Sequence, residues 1–125
     1  MKSKNSLNWF EIPVTDFDRA RSFYEAVMAC EMHLMEAEDI GFKWGFFPFE
    51  KEGVGGSIAA GPGYEPSQQG VLVYLNGGDD LSIPLARVEP AGGKVVLPKT
   101  AIGANGFMAQ FLDTEGNKVA LHSSK

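Results

Sequence analysis

Trp9-Phe10-Glu11-Ile12-Pro13-Val14-Thr15-Asp16-Phe17-Asp18-Arg19-Ala20 changes its periodicity midway. Residues 7–14 suit a strand, and period-two alternation puts Trp9, Glu11 and Pro13 on one face of it. Residues 15–18 then supply short oxygen-bearing side chains able to cap the unpaired backbone donors of a helix start. Beyond them Phe17, Ala20, Tyr24 and Val27 recur at three- and four-residue spacing, while Arg19, Arg21 and Glu25 fall on the other side. That spacing predicts an amphipathic helix ending near Cys30.

Working outward, short β-like stretches are expected at residues 32–36, 42–49 and 54–60, so the first half reads β, α, β, β, β. Gly61-Pro62-Gly63-Tyr64-Glu65-Pro66-Ser67 stops both helix and strand and reads as a connection. The plan then repeats. Residues 71–76 are strand-like, Asp79 or Asp80 can cap a helix presenting Leu81, Leu85 and Val88, and Gly92-Gly93 can end it in left-handed conformations. Pro84 falls in the first turn of that helix, where it is tolerated. Residues 94–97, 107–112 and 118–122 supply three more strands, the last two joined by the turn Asp113-Thr114-Glu115-Gly116-Asn117. An offset of 63 positions relates Asp79 to Asp16 and Gly116 to Gly53, both at structural punctuation.

Composition narrows the function classes. A chain of 125 residues has room for one domain, here residues 1–125 with internal modules 7–60 and 70–122, and for one cavity. With 44% hydrophobic and 22% charged residues it is neither disordered nor membrane-spanning in composition. A net charge of −5 without a clustered Lys/Arg surface argues against a nucleic-acid partner. Cys30 is the single cysteine, and residues 1–7 carry two lysines rather than an apolar leader, which points to a reducing cytoplasm. No apolar run is long enough to span a bilayer, so no membrane partner is expected.

The opening quoted above, followed by Phe23-Tyr24-Glu25, resembles that of the glyoxalase-like vicinal oxygen chelate proteins, which include bleomycin resistance proteins and extradiol dioxygenases. The ending does so too. Gly92-Gly93-Lys94-Val95-Val96-Leu97-Pro98-Lys99-Thr100 and Phe111-Leu112-Asp113-Thr114-Glu115-Gly116-Asn117-Lys118-Val119-Ala120-Leu121-His122 are similar to the second module of the subgroup related to lactoylglutathione lyase. The resemblance covers nearly the whole chain. It implies an α+β fold in which two βαβββ modules form an incurved mixed-sheet half-barrel cleft, with helices packed outside. It also implies a small-molecule ligand, a homodimer, and, in metal-dependent members, a divalent ion held by inward residues of the first and last strand of each module.

By position in the motifs those four residues are Trp9, Ser57, Leu72 and Ala120. Indole, leucine and alanine side chains cannot coordinate a cation and a lone hydroxyl binds weakly, so neither a metal nor another cofactor is expected. Strand alternation carries Glu11, Tyr74, Asn76 and His122 inward with them, giving a mostly apolar pocket with a few polar groups. In a functional reading Glu11 accepts a proton, His122 is a second acid/base or orienting donor, and Tyr74 donates to a carbonyl or carboxylate. In a structural reading Glu11 and His122 pair with each other or with the backbone at the sheet seam. His33 reads as a surface or sheet-edge histidine, Cys30 as a packed helix-end residue, and Met28, Met32 and Met35 as core filling. Phe46-Phe47-Pro48-Phe49 is a candidate cover for the cleft or a dimer contact. The expected function is therefore metal-independent binding of a small organic molecule. The rivals are a metal-dependent lyase, isomerase or dioxygenase using Glu11 and His122, and a drug-sequestering dimer whose acidic balance favours cationic drugs.

Overall fold

The computed structural model describes residues 3–125. Strand β1 (Trp9–Pro13) leads into helix α1 (Phe17–Val27), and strands β2 (His33–Ala37), β3 (Phe42–Phe46) and β4 (Gly55–Ala60) follow. The second run is β5 (Tyr74–Asn76), the one-turn helix α2 (Ser82–Leu85), β6 (Lys94–Ala101), β7 (Phe107–Leu112) and β8 (Lys118–Ser123). These make two four-stranded mixed sheets, ordered β1-β4-β3-β2 and β5-β8-β7-β6. In each, the first and last strands of the run lie parallel and the remaining pairs are antiparallel. The sheets do not close into a barrel, and β1 and β5 are both free edges.

Register turns the repeat into a geometric relation. Glu11 lies opposite Ser57 in the β1–β4 pair, and Tyr74 lies opposite Ala120 in the β5–β8 pair, the same 63-residue offset applied to both partners.

Capping by Asp16 starts α1: its carboxylate accepts from the Arg19 backbone N–H at 3.1 Å, satisfying one of the orphan donors of the first turn. The buried stripe of α1 is Phe17, Ala20, Phe23, Tyr24 and Val27. It packs into one core with Ile12, Val14 and Ile58 of the first sheet and Ala109, Phe111 and Leu121 of the second. The ring of Phe23 meets that of Phe111 at 5.9 Å. Polar contacts cross the same junction. Tyr24 donates to Asp113 at 2.7 Å, Asn117 donates to the Pro13 carbonyl at 2.7 Å, and Arg19 Nε donates to Glu115 at 2.8 Å. Burial pushes the Tyr24 phenol well above the usual tyrosine range, and the Asp113 charge adds to it. The phenol therefore stays a donor. For Glu115 burial pushes upward, but the Arg19 hydrogen bond and the Asp16 and Thr15 backbone N–H groups outweigh it and hold the carboxyl below its ordinary value.

Several elements depart from the sequence expectation. The helix expected to present Leu81, Leu85 and Val88 is helical only over Ser82–Leu85 and continues as turns, in which the N–H groups of Arg87 and Val88 bond three residues back rather than four and Pro90 has no N–H to offer. Asp80, one residue after the position related to Asp16, takes the turn-forming role by accepting from the Ser82 N–H at 2.9 Å. Only Gly92 of the Gly92-Gly93 pair is left-handed, with φ 105°. Strand β5 begins at Tyr74 rather than residue 71, since its only partner, β8, lies opposite Tyr74, Leu75 and Asn76 alone. Leu72 is therefore outside any strand. Of the three methionines expected in the core, Met32 is buried and Met28 packs against the core, but Met35 faces solvent. His33 is exposed on the edge strand β2.

Candidate functional site

The first sheet has one face against α1 and the core and another that no helix covers. Alternation from Trp9 and from Phe42 puts Trp9, Glu11, Phe42, Trp44 and Phe46 on this uncovered face, and the register aligns Ser57 with both Glu11 and Phe46. Two aromatic groups flank Glu11. On one side Phe42 stacks on Trp44 with centroids 5.7 Å apart and meets Tyr64 edge-on at 6.0 Å. On the other, Trp9 makes edge contacts with Phe46 at 5.6 Å and Phe49 at 5.9 Å. Gly55 makes the second group possible, because a Cβ there would run into the Phe49 ring.

Glu11 is held between the groups. Its Oε1 accepts from the Tyr64 hydroxyl at 2.6 Å and its Oε2 from the Trp44 indole N–H at 3.2 Å. The hydrogen bond to Glu11 raises the Tyr64 phenol above its ordinary value, with burial a smaller cause, so the phenol remains protonated and donating. Among the described residues no Lys or Arg forms an ion pair with Glu11. Lys43, on the opposite face of β3, forms an ion pair with Glu36 at 3.6 Å and lies over the Phe17 ring. Ser57 is fully buried, and its Oγ has no hydrogen-bond partner.

Between the edge strands β1 and β5 runs an open groove of about 940 Å³. Trp9, Glu11, Leu72, Tyr74 and Asn76 all line it, together with Phe10 and Phe47 from beneath. The residues singled out from sequence therefore divide. Trp9, Glu11, Leu72, Tyr74 and Asn76 share the groove, whereas Ser57 and Ala120 are sealed in the sheets, and His122 borders a separate shallow depression beside Tyr74 and Asn76. Glu11 and His122 do not pair with each other: His122 Nε2 lies 2.6 Å from the Asn105 carbonyl. Tyr74 directs its hydroxyl to the Met108 sulfur at 3.7 Å, and Asn76 accepts from the Gly78 N–H at 2.9 Å. Trp44 and Tyr64 are the residues that sequence reasoning missed. Period-two alternation through β3 is the signal that would place Trp44 with Phe42 and Phe46, but pairing it with Glu11 requires the β1–β4–β3 register.

Two sheets of one plan, with a groove between their first strands, define the open half-barrel class of α+β proteins. The chain belongs to the Glyoxalase/Bleomycin resistance protein/Dioxygenase superfamily, whose profile matches residues 6–121. No curated protein matches significantly. Among solved structures, glyoxalase I from Zea mays superimposes with a TM-score of 0.71 at 20% identity, covering 94% of this chain and 46% of that one. The chain thus spans about half the length of the maize protein. A glyoxalase/bleomycin resistance protein/dioxygenase family enzyme from Burkholderia phytofirmans PsJN gives a TM-score of 0.66 at 17% identity, covering 97% of this chain and all of its own. The trypanothione-dependent glyoxalase I of Leishmania major gives 0.69 at 14%, covering 97% and 88%. At these identities the likeness establishes the fold.

The fold family implies a divalent metal in some members. Among the described residues no three His, Cys, Asp or Glu side chains converge on a point that could hold one. The four positions to which the family's ligands correspond offer a single hydroxyl, that of Ser57. The donor set does not fit a divalent ion. No described helix is long and apolar enough to cross a membrane.

Proposed function

We propose that this protein binds a small organic molecule at the groove between β1 and β5 and does so without the divalent metal used by other members of its superfamily. One observation carries the reading: the groove wall is mostly apolar and aromatic, with polar or amphipathic contributors that include Trp9, Glu11, Tyr74, Asn76, Asn117 and Lys118, while the inherited ligand positions offer no coordinating group beyond one buried hydroxyl. This is the chemistry of a binding pocket rather than of a Lewis-acid centre. A homodimer, as the resemblance implies, and a cytoplasmic setting, as the single cysteine suggests, are part of this proposal.

The test is unbiased. Protein purified without chelator is analysed by native mass spectrometry and by elemental analysis. The expected result is sub-stoichiometric transition metal and either a co-purifying organic mass or saturable uptake from a small-molecule library. A stoichiometric divalent ion that survives dialysis would overturn the metal-free reading. It would favour instead a lyase, isomerase or dioxygenase whose ligands include Glu11.

A further inference from the structure

We infer that the ligand class of this site is an organic ammonium cation, recognised by Glu11 as counter-ion, by the Trp9 ring in the groove and by the rings of Trp44, Phe46 and Tyr64 on the adjoining sheet face. The inference rests on the binding function proposed above and specifies its chemistry.

Three observations converge on it. First, Glu11 is an exposed carboxylate whose two oxygens are oriented by neutral donors, the Tyr64 hydroxyl and the Trp44 indole N–H, while no described Lys or Arg lies within ion-pair distance of it; Lys118, the lysine that lines the groove, shares it with a second carboxylate, Glu65. Two hydrogen bonds steady the group without cancelling its charge. Second, the neighbours are rings. An aromatic face is electron-rich and attracts a cation, an indole most strongly, and Trp9 keeps 37% of its surface accessible. Six aromatic side chains gathered about one carboxylate would repel an anionic ligand and give a neutral one no use for the charge. Third, the protein as a whole carries a net charge of −5, so the long-range field also favours a positive ligand. Buried Ser57 Oγ, on the same sheet face and aligned with Glu11 and Phe46, adds an unused polar atom beneath the site. An alkyl or aryl ammonium matches these features: its charge meets Glu11 and its apolar body lies along the rings and into the groove.

The test uses choline and its uncharged isostere 3,3-dimethylbutan-1-ol, which differ in charge and hardly in shape. The two indole N–H signals in a ¹H–¹⁵N spectrum of the full chain report directly, because Trp9 and Trp44 flank Glu11. Choline is expected to shift both signals saturably, with a Kd at least about tenfold below that of the isostere, as a desolvated cation–π contact plus a counter-ion would produce. In Glu11→Gln the preference should vanish while the dispersion of the other amides is retained. Trp9→Leu, which leaves all charges in place, should weaken choline by about fivefold or more and serves if the first variant does not fold. Equal binding of the two probes, choline binding insensitive to both variants, or indole shifts that depend on protein concentration rather than on choline would each overturn the inference. The first would leave the small-molecule reading intact, since a neutral ligand still binds. Choline binding in a protein that also holds a stoichiometric metal would instead overturn the metal-free reading alone.

Discussion

The uncovered face of the first sheet and the matching face of the second share a backbone plan and differ in almost every side chain. Where the first sheet has Glu11 opposite Ser57, the second has Tyr74 opposite Ala120. Around Glu11 stand Trp9, Trp44, Phe46 and Tyr64; around Tyr74 stand Met108, Gln110 and His122, and the Tyr74 hydroxyl and the His122 ring are spent on a sulfur and a backbone carbonyl. Strand order and register survive wholesale exchange of the residues they carry, because the core side of each sheet alone decides how it packs. The aromatic side chains and the carboxylate are thus concentrated on the face of the first sheet, while the second supplies the far wall of the groove with Tyr74, Asn76 and Lys118.

The sharpest way to break this division is at the junction that holds the sheets together. Asp113 accepts from the Tyr24 hydroxyl, from Asn117 Nδ2 and from the backbone N–H groups of Glu115 and Asn117. Asp113→Ala would leave the fully buried Tyr24 hydroxyl without a partner, and urea denaturation should reveal a loss of roughly 3–4 kcal/mol. A loss below about 1 kcal/mol would mean that the modules are held by apolar contact alone.

A reciprocal exchange sharpens the comparison at smaller scale. Ser57→Ala removes a buried hydroxyl that bonds nothing, so stability should be unchanged or rise by up to about 1 kcal/mol, whereas Ala120→Ser should cost about 1–3 kcal/mol by burying a new one. Matched thermal melts decide it. Equal and opposite changes are not expected, and a destabilised Ser57→Ala would show that its hydroxyl is engaged after all.

The smallest effect lies in the second module's helix entrance. Lys99 bonds Asp80 at 2.9 Å and, with the Ser82 backbone N–H, lowers the Asp80 pKa from 3.8 to about 2. A carboxyl whose folded pKa is depressed contributes stability that is present above the unfolded value, and loses it as pH falls through the folded one. The contribution should therefore fade between about pH 4 and pH 2. Both groups are partly exposed, so solvent screening keeps the change small. Carboxyl-detected NMR titration should show the Asp80 midpoint return toward 3.8 in Lys99→Met. The first module has no counterpart among the described residues, since Asp16 caps α1 through the Arg19 N–H and no described lysine pairs with it.

The fold was legible because its signals are local and repeated. Change of period at Asp16, the Gly-Pro connection at residues 61–67 and the Asp113–Asn117 turn each mark an element end by its own chemistry. Helix α2 is shorter than the spacing suggests because three apolar residues at helical spacing also suit a chain of three-residue turns. The site was legible only in part. Alternation correctly put Trp9 with Glu11 and Tyr74 with Asn76 along one groove, since period two is a property of a single strand. It could not reveal that Glu11 spends its hydrogen bonds on Trp44 and Tyr64, residues 33 and 53 positions away, nor that His122 turns to Asn105. Those partnerships are set by cross-strand register and by where a loop comes to rest, neither of which is written in any one segment.

Helix α1 belongs in sequence to the first module, yet its Phe23 and Tyr24 are enclosed by Phe111 and Asp113 of the second. Duplication of the chain's architecture is therefore not duplication of its autonomy. Either half taken separately would expose the surface that the other covers, so the pair must melt, be inherited and be engineered as one cooperative body.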